Sequence, residues 1–471
     1  MIRKDKEIIV KLSPELSVQQ QKDILLSFGC TIDDHLACLN IFYVTLPYTS
    51  CFDELSQHSS IEYVEENVKF KESFAVTPND TFYSYQWHYP LIRLPQAWEY
   101  TTGSKNVRIA VIDTGVQLDH PDLIANLDAD GGYDFVNDKR SSYDDEGHGT
   151  HVAGTIGAVG NNNLGITGVM WDVTMVPIKA LDHEGYGYST DIANAILYAA
   201  GLTTYLVNPN PVDIINLSLG GGYSHLMEDA IQHACNAGVL VVAATGNENT
   251  PFLSYPAALE TVIAVGATDF NGGDPPNRAY YSNYGNGLDI MAPGGDMRYD
   301  LTNHGYADGV LSTGLGTQYQ FMQGTSMACP HVVGVIGLML SHGINKNDVK
   351  DILCKTAIPM GQHNDFEHGH GLINPVFCVQ GIDTIQVLVG QRIGDTINAV
   401  AKGFIEVNTQ DFSLDRIPTG KHKVFAWIDT NKNNRIDVGD FLAETEEIDF
   451  DSNVNIQNLH LSLSIVKNGL L

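Results

Sequence analysis

The sequence predicts a loop-rich α/β fold built around an open parallel β-sheet. Residues 107–112 and 239–244 are apolar runs of strand length, and a polar residue follows each run beside a glycine, at Asp113 and Asn247. Functional groups collect where the strands of open parallel sheets end. Glycine accounts for 45 of the 471 residues, which suits a loop-rich α/β enzyme better than a helical bundle.

The bulk properties restrict the class of partner. A formal net charge of −30 argues against nucleic acid or an anionic membrane, although bound cations, a salty habitat or simple solubility would each explain it. No apolar run approaches the roughly 18 residues that span a bilayer, and the run near Met1 is too short for a signal-peptide core. We expect either an intracellular protein or an exported one whose signal is outside this sequence. The seven cysteines show no metal-ligand spacing, and their odd number indicates that disulfides are not the main scaffold.

The first 76 residues have the pattern of a small α+β domain. Residues 7–12, 40–46 and 61–70 resemble strands, whereas residues 18–28 and the run from Phe52 have helical spacing. This predicts a β-α-β-β-α-β unit in which one strand is not located. Periodicity is lost at residues 75–80, which we interpret as an accessible linker.

An acid and a histidine form the first candidate pair. Asp113 ends a buried run, where a turn or cap residue is the alternative interpretation. Residues 144–157 (DDEGHGTHVAGTIG) place His148 and His151 among glycines at the start of a small-residue helix. A lone histidine is more often structural, but two histidines at a glycine-rich helix start favour a site.

A serine and an asparagine complete the set. Ser326 lies in residues 324–331 (GTSMACPH), just before an apolar helical run, where a serine usually acts only as a cap. A serine hydroxyl is a poor nucleophile, so it needs a histidine to take its proton and a carboxylate to orient that histidine. The amide of Asn247 could donate a hydrogen bond to the oxyanion that follows, although an asparagine in a turn is the alternative.

Five segments together resemble the subtilisin-like serine proteases. They are residues 110–115 (AVIDTG), 148–154 (HGTHVAG), 218–221 (SLGG), 244–247 (ATGN) and 324–328 (GTSMA). With their flanks they cover residues 78–380. Residues 77–87 (TPNDTFYSYQW) look most like the start of thermitase-type members, and residues 369–375 (GHGLINP) resemble the closing segment. The resemblance implies a subtilisin-like, doubly wound and mostly parallel sheet in residues 77–381, between a small α+β domain and a small all-β domain.

The resemblance also implies roles for individual residues. The triad would be Asp113, His148 and Ser326, with Asn247 and the Ser326 amide as the oxyanion hole. The strands that grip the substrate backbone would be Ser218, Leu219 and Gly220, and Gly185 to Gly187. Ala244, Thr245 and Ser254 would line the primary specificity pocket. Because none of these three is charged, we expect a preference for apolar or aromatic side chains before the scissile bond.

Residues 1–76 resemble the propeptide of this family, which is both folding chaperone and temporary inhibitor. Self-cleavage is then expected within residues 71–78, and a permanent N-terminal domain is the alternative. Residues 293–306 depart from the family by lengthening the approach to Ser326, and we expect them to wall the leaving-group side.

Calcium is the cofactor that the resemblance implies. Asp80, Asp122 and Asn162 would supply side-chain oxygens of a strong site, and Leu164 and Ile166 would supply carbonyls. Asp138, Asp144 and Asp145 could form a second site, or they could belong to a solvated acidic loop.

Residues 382–471 change to short β-like runs, which suggests a β-sandwich-like accessory domain. Within it, acids and amides take the ligand positions of an EF-hand-like calcium loop, namely Asp429, Asn431, Asn433, Asp437 and Asp440. Asn434 replaces the usual glycine of such a loop, so an acidic turn is the alternative.

We therefore expect a calcium-dependent, monomeric serine endopeptidase made as a self-processing zymogen. Its partners would be polypeptide substrates and its own propeptide, with neither nucleic acid nor membrane. Two other hypotheses stay open: an intracellular processing protease of narrow specificity, and a non-catalytic peptide-binding relative. The resemblance to a propeptide and the expected need for calcium favour export, whereas the free cysteines favour the cytoplasm.

Overall fold

A computed structural model of the chain describes residues 7–14, 16–36, 40–47, 51–66, 76–360, 365–380, 384–393, 396–406, 420–428, 441–445, 447–450 and 464–465. The chain divides into two compact units, Met1–Glu72 and Ser73–Leu471. The boundary falls close to the predicted linker. The finer division at residues 76 and 381 stays a prediction.

The first unit contains a four-stranded antiparallel sheet and two helices. Its elements are β1 (Glu7–Leu12), α1 (Val18–Ser27), β2 (Thr31–Leu36), β3 (Ile41–Thr45), α2 (Cys51–Ser56) and β4 (Ile61–Glu66). The strand order is β2-β3-β1-β4, so β2 lies at an edge. The strand missing from the sequence prediction is β2, whose sequence TIDDHL is polar because an edge strand need not bury both faces.

The second unit contains the predicted α/β core. Its strands up to residue 322 are β5 (Gly103–Asp113), β6 (Tyr133–Asp134), β7 (Asp172–Lys179), β8 (Ile214–Leu217), β9 (Leu240–Ala244), β10 (Ile263–Thr268), β11 (Ile290–Pro293), β12 (Val310–Thr313) and β13 (Tyr319–Met322). Its helices are α3 (His88–Leu91), α4 (Leu94–Ala97), α5 (His148–Gly157), α6 (Ser189–Ala199), α7 (His225–Asn236), α8 (Thr325–Ser341), α9 (Val349–Thr356), α10 (Asp365–His368) and α11 (Pro375–Gln380).

Seven of these strands form one parallel sheet in the order β11-β10-β9-β8-β5-β7-β6. Every residue of β8, β10 and β11 is buried, which explains why such strands read as continuous apolar runs rather than as alternating patterns. This sheet confirms the predicted subtilisin-like α/β class.

Helix α8 is the buried axis of the core. It packs against α5 and against the sheet strands β5, β8, β9, β10 and β11. Residues 327–339 of the helix are all buried, as expected of a helix that is largely apolar all round. Gly334 permits a close contact with Val169, because a Cβ on this glycine would lie 2.5 Å from Cβ of Val169.

The C-terminal strands form one further sheet. They are β14 (Thr384–Ile393), β15 (Thr396–Glu406), β16 (Gly420–Ile428), β17 (Phe441–Glu444), β18 (Ile448–Phe450) and β19 (Ser464–Ile465). The sheet path is β15-β14-β16-β17-β19, with β18 paired to β16, around a core of Leu388, Phe425 and Trp427. Among the described strands of residues 382–471 we find this one sheet and not the second sheet that a β-sandwich requires. The predicted calcium loop, residues 429–440, lies outside the described residues.

In the described part of the chain, none of the helices has the length and apolar content that crossing a bilayer requires.

Candidate active site

Asp113 and His148 meet at the carboxyl end of β5, an interior strand of the parallel sheet. Asp113 is the last residue of β5 and is fully buried, and His148 is the first residue of α5. Nδ1 of His148 lies 2.7 Å from Oδ1 of Asp113, which also accepts a hydrogen bond from the backbone N–H of Thr114 (2.8 Å). Since the carboxylate can only accept, Nδ1 carries the proton and Nε2 is left as the basic nitrogen.

The start of α5 is shaped by small residues. Gly147 has φ +114°, a left-handed conformation that suits glycine, and a Cβ on Gly149 would overlap the carbonyl oxygen of Gly115. The N–H of Gly149 donates to the hydroxyl of Thr114 (2.9 Å). The glycines flanking His148 therefore let the helix start close enough to β5 for the ring to reach Asp113.

The electrostatics of His148 suit a general base. Burial alone would lower its pKa, but the charge of Asp113 and the hydrogen bond to it raise the pKa to about 8. Glu146 and Asp144 add smaller contributions in the same direction. One quarter of the His148 side chain is exposed, so a substrate can reach the ring.

Ser326 lies in the first turn of α8 and is hydrogen-bonded to Ser218, the residue that follows strand β8. Its hydroxyl donates to the carbonyl oxygen of Ser218 (3.1 Å), and the hydroxyl of Ser218 donates to the carbonyl oxygen of Ser326 (2.9 Å). Asn216 supports this pair by donating to the Ser218 hydroxyl (3.1 Å). The Ser326 hydroxyl therefore donates to a backbone carbonyl in this structure, and catalytic hydrogen bonds often form only when substrate is bound.

Asn247 is held by its oxygen, which leaves its NH₂ group free for another partner. Oδ1 accepts from the N–H of Thr325 (2.9 Å) and from its hydroxyl (3.0 Å). A Cβ added to Gly324 would lie 3.6 Å from the backbone N of Ser326 and 3.7 Å from Nδ2 of Asn247. Both nitrogens thus lie beside Gly324, and a pair of neighbouring N–H donors is what an oxyanion needs.

A cleft of about 500 Å³ lies beside these residues. The predicted substrate strands line it, through Gly185, Gly187, Ser218, Leu219 and Gly220, and so does His148. Tyr186, which stands between the two glycines of the predicted strand Gly185 to Gly187, also lines the cleft and is exposed. Tyr223 and Tyr255 line it as well, and no sequence pattern indicated them.

The predicted specificity pocket lies next to this cleft rather than in its wall. Ala244 and Thr245 are buried at the end of β9, and the N–H of Ser254 donates to the carbonyl oxygen of Thr245 (2.9 Å). A Cβ on Gly220 would lie 3.0 Å from Cβ of Ser254. These residues therefore adjoin the strand of Ser218 to Gly220, but they do not contribute to the cavity surface.

The residues of the first predicted calcium site come together. Asn162 bridges the two acids, because its backbone N–H donates to Asp80 (3.4 Å) and its amide donates to Asp122 (3.0 Å). Burial raises the pKa of Asp122 to about 6 and also raises that of Asp80. Leu164 and Ile166 lie in the same loop, with their N–H groups bonded to Asn162 and Asp122.

Tyr319 is a further neighbour of this site that no sequence pattern indicated. Its hydroxyl donates to Asp122 (3.2 Å). Asp80 and Asp122 are both buried, and among the described residues no positively charged side chain contributes to the pKa of either. A cation held between them would compensate their charge. Among the described residues no three acids, histidines or cysteines cluster as metal ligands, so carbonyl and amide oxygens would have to complete the set.

The second predicted acidic site is divided among separate partners. Asp138 accepts from the hydroxyl of Tyr133 (2.5 Å), and Asp145 pairs with Lys179 (2.7 Å). Asp144 accepts from the backbone of residues 146, 147 and 150 at the start of α5. These contacts favour the interpretation of an acidic loop that shapes the helix start.

Known proteins resemble this chain in both sequence and structure. Residues 104–371 match the subtilase family. A thermophilic serine proteinase of Bacillus sp. (strain AK1) is 36% identical over 356 residues, which are 74% of this chain and 82% of that protein. Thermitase of Thermoactinomyces vulgaris is 38% identical over 283 residues, 60% of this chain and 91% of thermitase.

Two further matches extend the comparison. An extracellular protease of Xanthomonas campestris pv. campestris is 39% identical over 303 residues, 56% of this chain and 50% of that protein. A solved structure of proteases from Pseudoalteromonas arctica PAMC 21717 aligns with a TM-score of 0.58 and 34% identity, covering 65% of this chain and 99% of that one. The chain therefore belongs to the subtilase family, as a thermitase-like serine endopeptidase.

Proposed function

We propose that Asp113, His148 and Ser326 form the catalytic triad of this endopeptidase, with Asn247 and the Ser326 amide as its oxyanion hole. The observation that carries the proposal is the 2.7 Å contact between Asp113 and His148, at the sheet edge where Ser326 lies in the first turn of α8. A serine nucleophile needs a neutral imidazole whose Nδ1–H donates a hydrogen bond to a carboxylate, because its Nε2 is then free to accept the proton of the serine.

In the reaction, the Ser326 hydroxyl leaves the Ser218 carbonyl and attacks the carbonyl carbon of the scissile peptide. Its proton moves to Nε2 of His148, and Asp113 stabilises the resulting imidazolium. The developing oxyanion accepts hydrogen bonds from the Asn247 amide and the Ser326 N–H. His148 then gives its proton to the leaving amine, and water releases the acyl group by the reverse path.

The acyl half of the substrate binds as an added strand between Gly185 to Gly187 and Ser218 to Gly220. Ala244, Thr245 and Ser254 form the pocket for the side chain before the scissile bond, and the absence of charge among them supports an apolar or aromatic preference. A peptide panel in which arginine or lysine is strongly favoured at that position would contradict this assignment.

Residues 1–76 act as an inhibitory propeptide that the enzyme removes itself. The support is a separate compact unit at Met1–Glu72 with its own apolar core, which includes Val10, Leu25 and Phe42. The expected cleavage range, residues 71–78, falls partly outside the described residues.

Calcium would be held by Asp80, Asp122 and Asn162, with carbonyl oxygens of Leu164 and Ile166. It would neutralise the two buried acids and so stabilise the loop of residues 161–166. Calcium in the loop of Asp429 to Asp440 is a separate proposal.

We also propose that the protein is exported and monomeric and acts on polypeptides, in line with a relative named as an extracellular protease.

The test is incubation of the full-length chain with calcium, beside Ser326→Ala, followed by intact mass spectrometry. We expect a loss of roughly 8 kDa in the wild type and no loss in the variant, because only the hydroxyl can form the acyl-enzyme. If both proteins stay whole while the wild type cleaves peptides, the first domain is permanent. If neither cleaves any peptide, the binding-protein hypothesis replaces the triad.

A further inference from the structure

The inserted segment of residues 293–306 is fixed directly beside the nucleophile. The N–H of Gly324 donates to the carbonyl oxygen of Gly294 (3.0 Å), and the hydroxyl of Tyr281 donates to the carbonyl oxygen of Gly295 (2.8 Å). Gly324 also borders the space between the two proposed oxyanion donors. The start of the segment therefore cannot move independently of the backbone around Ser326.

Gln323 connects this segment to an exposed aromatic cluster. Its Oε1 accepts from the N–H of Met297 (2.6 Å), and its Nε2 donates to the hydroxyl of Tyr280 (3.0 Å). The Arg298 guanidinium lies 3.5 Å from the centre of the Tyr280 ring and 5.2 Å from that of Tyr299. We call Tyr280, Arg298 and Tyr299 the aromatic cluster.

The aromatic cluster is rigid but not covered. Asp296 is buried and accepts several hydrogen bonds from Arg298, including those from Nε (2.9 Å) and Nη2 (2.6 Å). Tyr280 and Tyr299 nevertheless expose 41% and 54% of their surface, and the adjoining Met297 exposes 43%. Exposed aromatic rings held in one geometry lose little conformational entropy on binding, and neighbouring exposed apolar residues often mark a binding surface.

The position of the cluster identifies its occupant. The cleft for the acyl half of a substrate is lined by residues of the ranges 185–189 and 218–227, and no residue of the aromatic cluster lines it. A polypeptide that passes Ser326 must continue away from that cleft with its leaving half. The segment that carries the cluster is bonded to Gln323 and Gly324, the residues that lead into Thr325 and Ser326, so we expect this half to meet the aromatic cluster next.

We propose that Tyr280, Arg298 and Tyr299, positioned by Gln323, bind an aromatic side chain of the substrate within two residues after the scissile bond. This rests on the proposed protease function and deepens it by naming a second specificity site. Rings stack on Tyr299 and on the face of Arg298, as aromatic and guanidinium planes do. Asp296 neutralises Arg298, so the site selects for rings rather than for acidic side chains.

The test uses internally quenched peptides with one acyl half and with Phe, Ala or Asp at each of the two positions after the bond. The methyl ester of the same acyl half provides a substrate with neither a ring nor a residue on that side. We expect kcat/KM for the better Phe peptide to exceed that for Ala by about tenfold, the scale of a filled apolar subsite. In Tyr299→Ala that ratio should fall towards one, while hydrolysis of the methyl ester is unchanged.

Two variants serve as controls. Tyr299→Phe keeps the ring and should keep the preference, whereas Tyr205→Ala removes a tyrosine elsewhere that is even more exposed (75%) and should change neither ratio nor rate. A Phe-to-Ala ratio that Tyr299→Ala leaves intact, or a preference for Asp over Phe, would overturn the aromatic cluster as the site. Failure of the wild type on every peptide and on the methyl ester would instead refute the protease function itself.

Discussion

The raised pKa of His148 makes a quantitative prediction about activity and pH. The neutral imidazole is the form that accepts a proton from Ser326, so kcat/KM should follow the fraction of His148 that is deprotonated. With a pKa of about 8, roughly a tenth of the free enzyme is competent near pH 7 and roughly nine tenths near pH 9. The expected result is an approximately tenfold rise in kcat/KM over that interval.

The assay is hydrolysis of a peptide anilide under kcat/KM conditions across this range, with calcium and ionic strength held constant. Asp113→Asn should shift the midpoint of the rise to lower pH, because burial still lowers the pKa of His148 while the largest opposing contribution is lost. The plateau should fall by about 10⁴, the scale seen when a triad carboxylate becomes an amide. Glu146→Gln removes a smaller contribution and should give a smaller shift.

A midpoint that stays near pH 8 in Asp113→Asn would refute this reasoning. The rise would then report another group, and the contact between Asp113 and His148 would not control the base. An unchanged plateau would further show that the carboxylate does not orient the imidazole.

Three other predictions concern the oxyanion hole, calcium and acid stability. Asn247→Ala should lower kcat by about 100- to 1,000-fold with little change in KM, measured on the peptide anilide. A rise in KM with kcat unchanged would point to a role in substrate binding instead. A chelator should lower the melting temperature, since calcium at about 100 times its Kd adds about 3 kcal/mol, and Asp122→Asn should reduce this difference in a thermal-shift assay. Burial lowers the pKa of His331 to about 4 and that of His88 below its ordinary value, so the stability that depends on their neutral forms should be complete above about pH 6.5 and lost as the pH falls towards 4. Melting curves between these values should show the loss, and it should be smaller in His88→Phe.

The sequence alone predicted those parts of the structure in which a local residue pattern has a single physical cause. Apolar runs predicted β5 and β9 because strands buried on both faces are apolar throughout. Glycines around His148 predicted the helix start, because the close approach to β5 excludes a side chain. The polar residues after these runs predicted Asp113 and Asn247 as candidates, since parallel strands all end at one edge of the sheet.

Other features depend on contacts that no local pattern encodes. The strand β2 was missed because its edge position allows polar residues. Tyr319 approaches Asp122 from 197 residues away, and Gln323 reaches Tyr280 across 43 residues, so neither pairing leaves a periodic signal. The direction of the Ser326 hydroxyl follows from its contact with Ser218, which is again long-range. The sequence therefore located the candidate catalytic residues but not these long-range contacts.

The order of the strands explains why these groups form one site. In the sheet, β8 lies between β5 and β9, so Asp113, Ser218 and Asn247 follow three neighbouring strands. Adjacent strands are about 4.8 Å apart, which separates the outer two by roughly 10 Å. Ser326 is bonded to Ser218 at the end of the middle strand, which places it between the proposed base, His148, beside Asp113 and the proposed oxyanion donor, Asn247. The layout of the proposed site thus follows from strand order, and the loops need only supply the correct side chains at the ends.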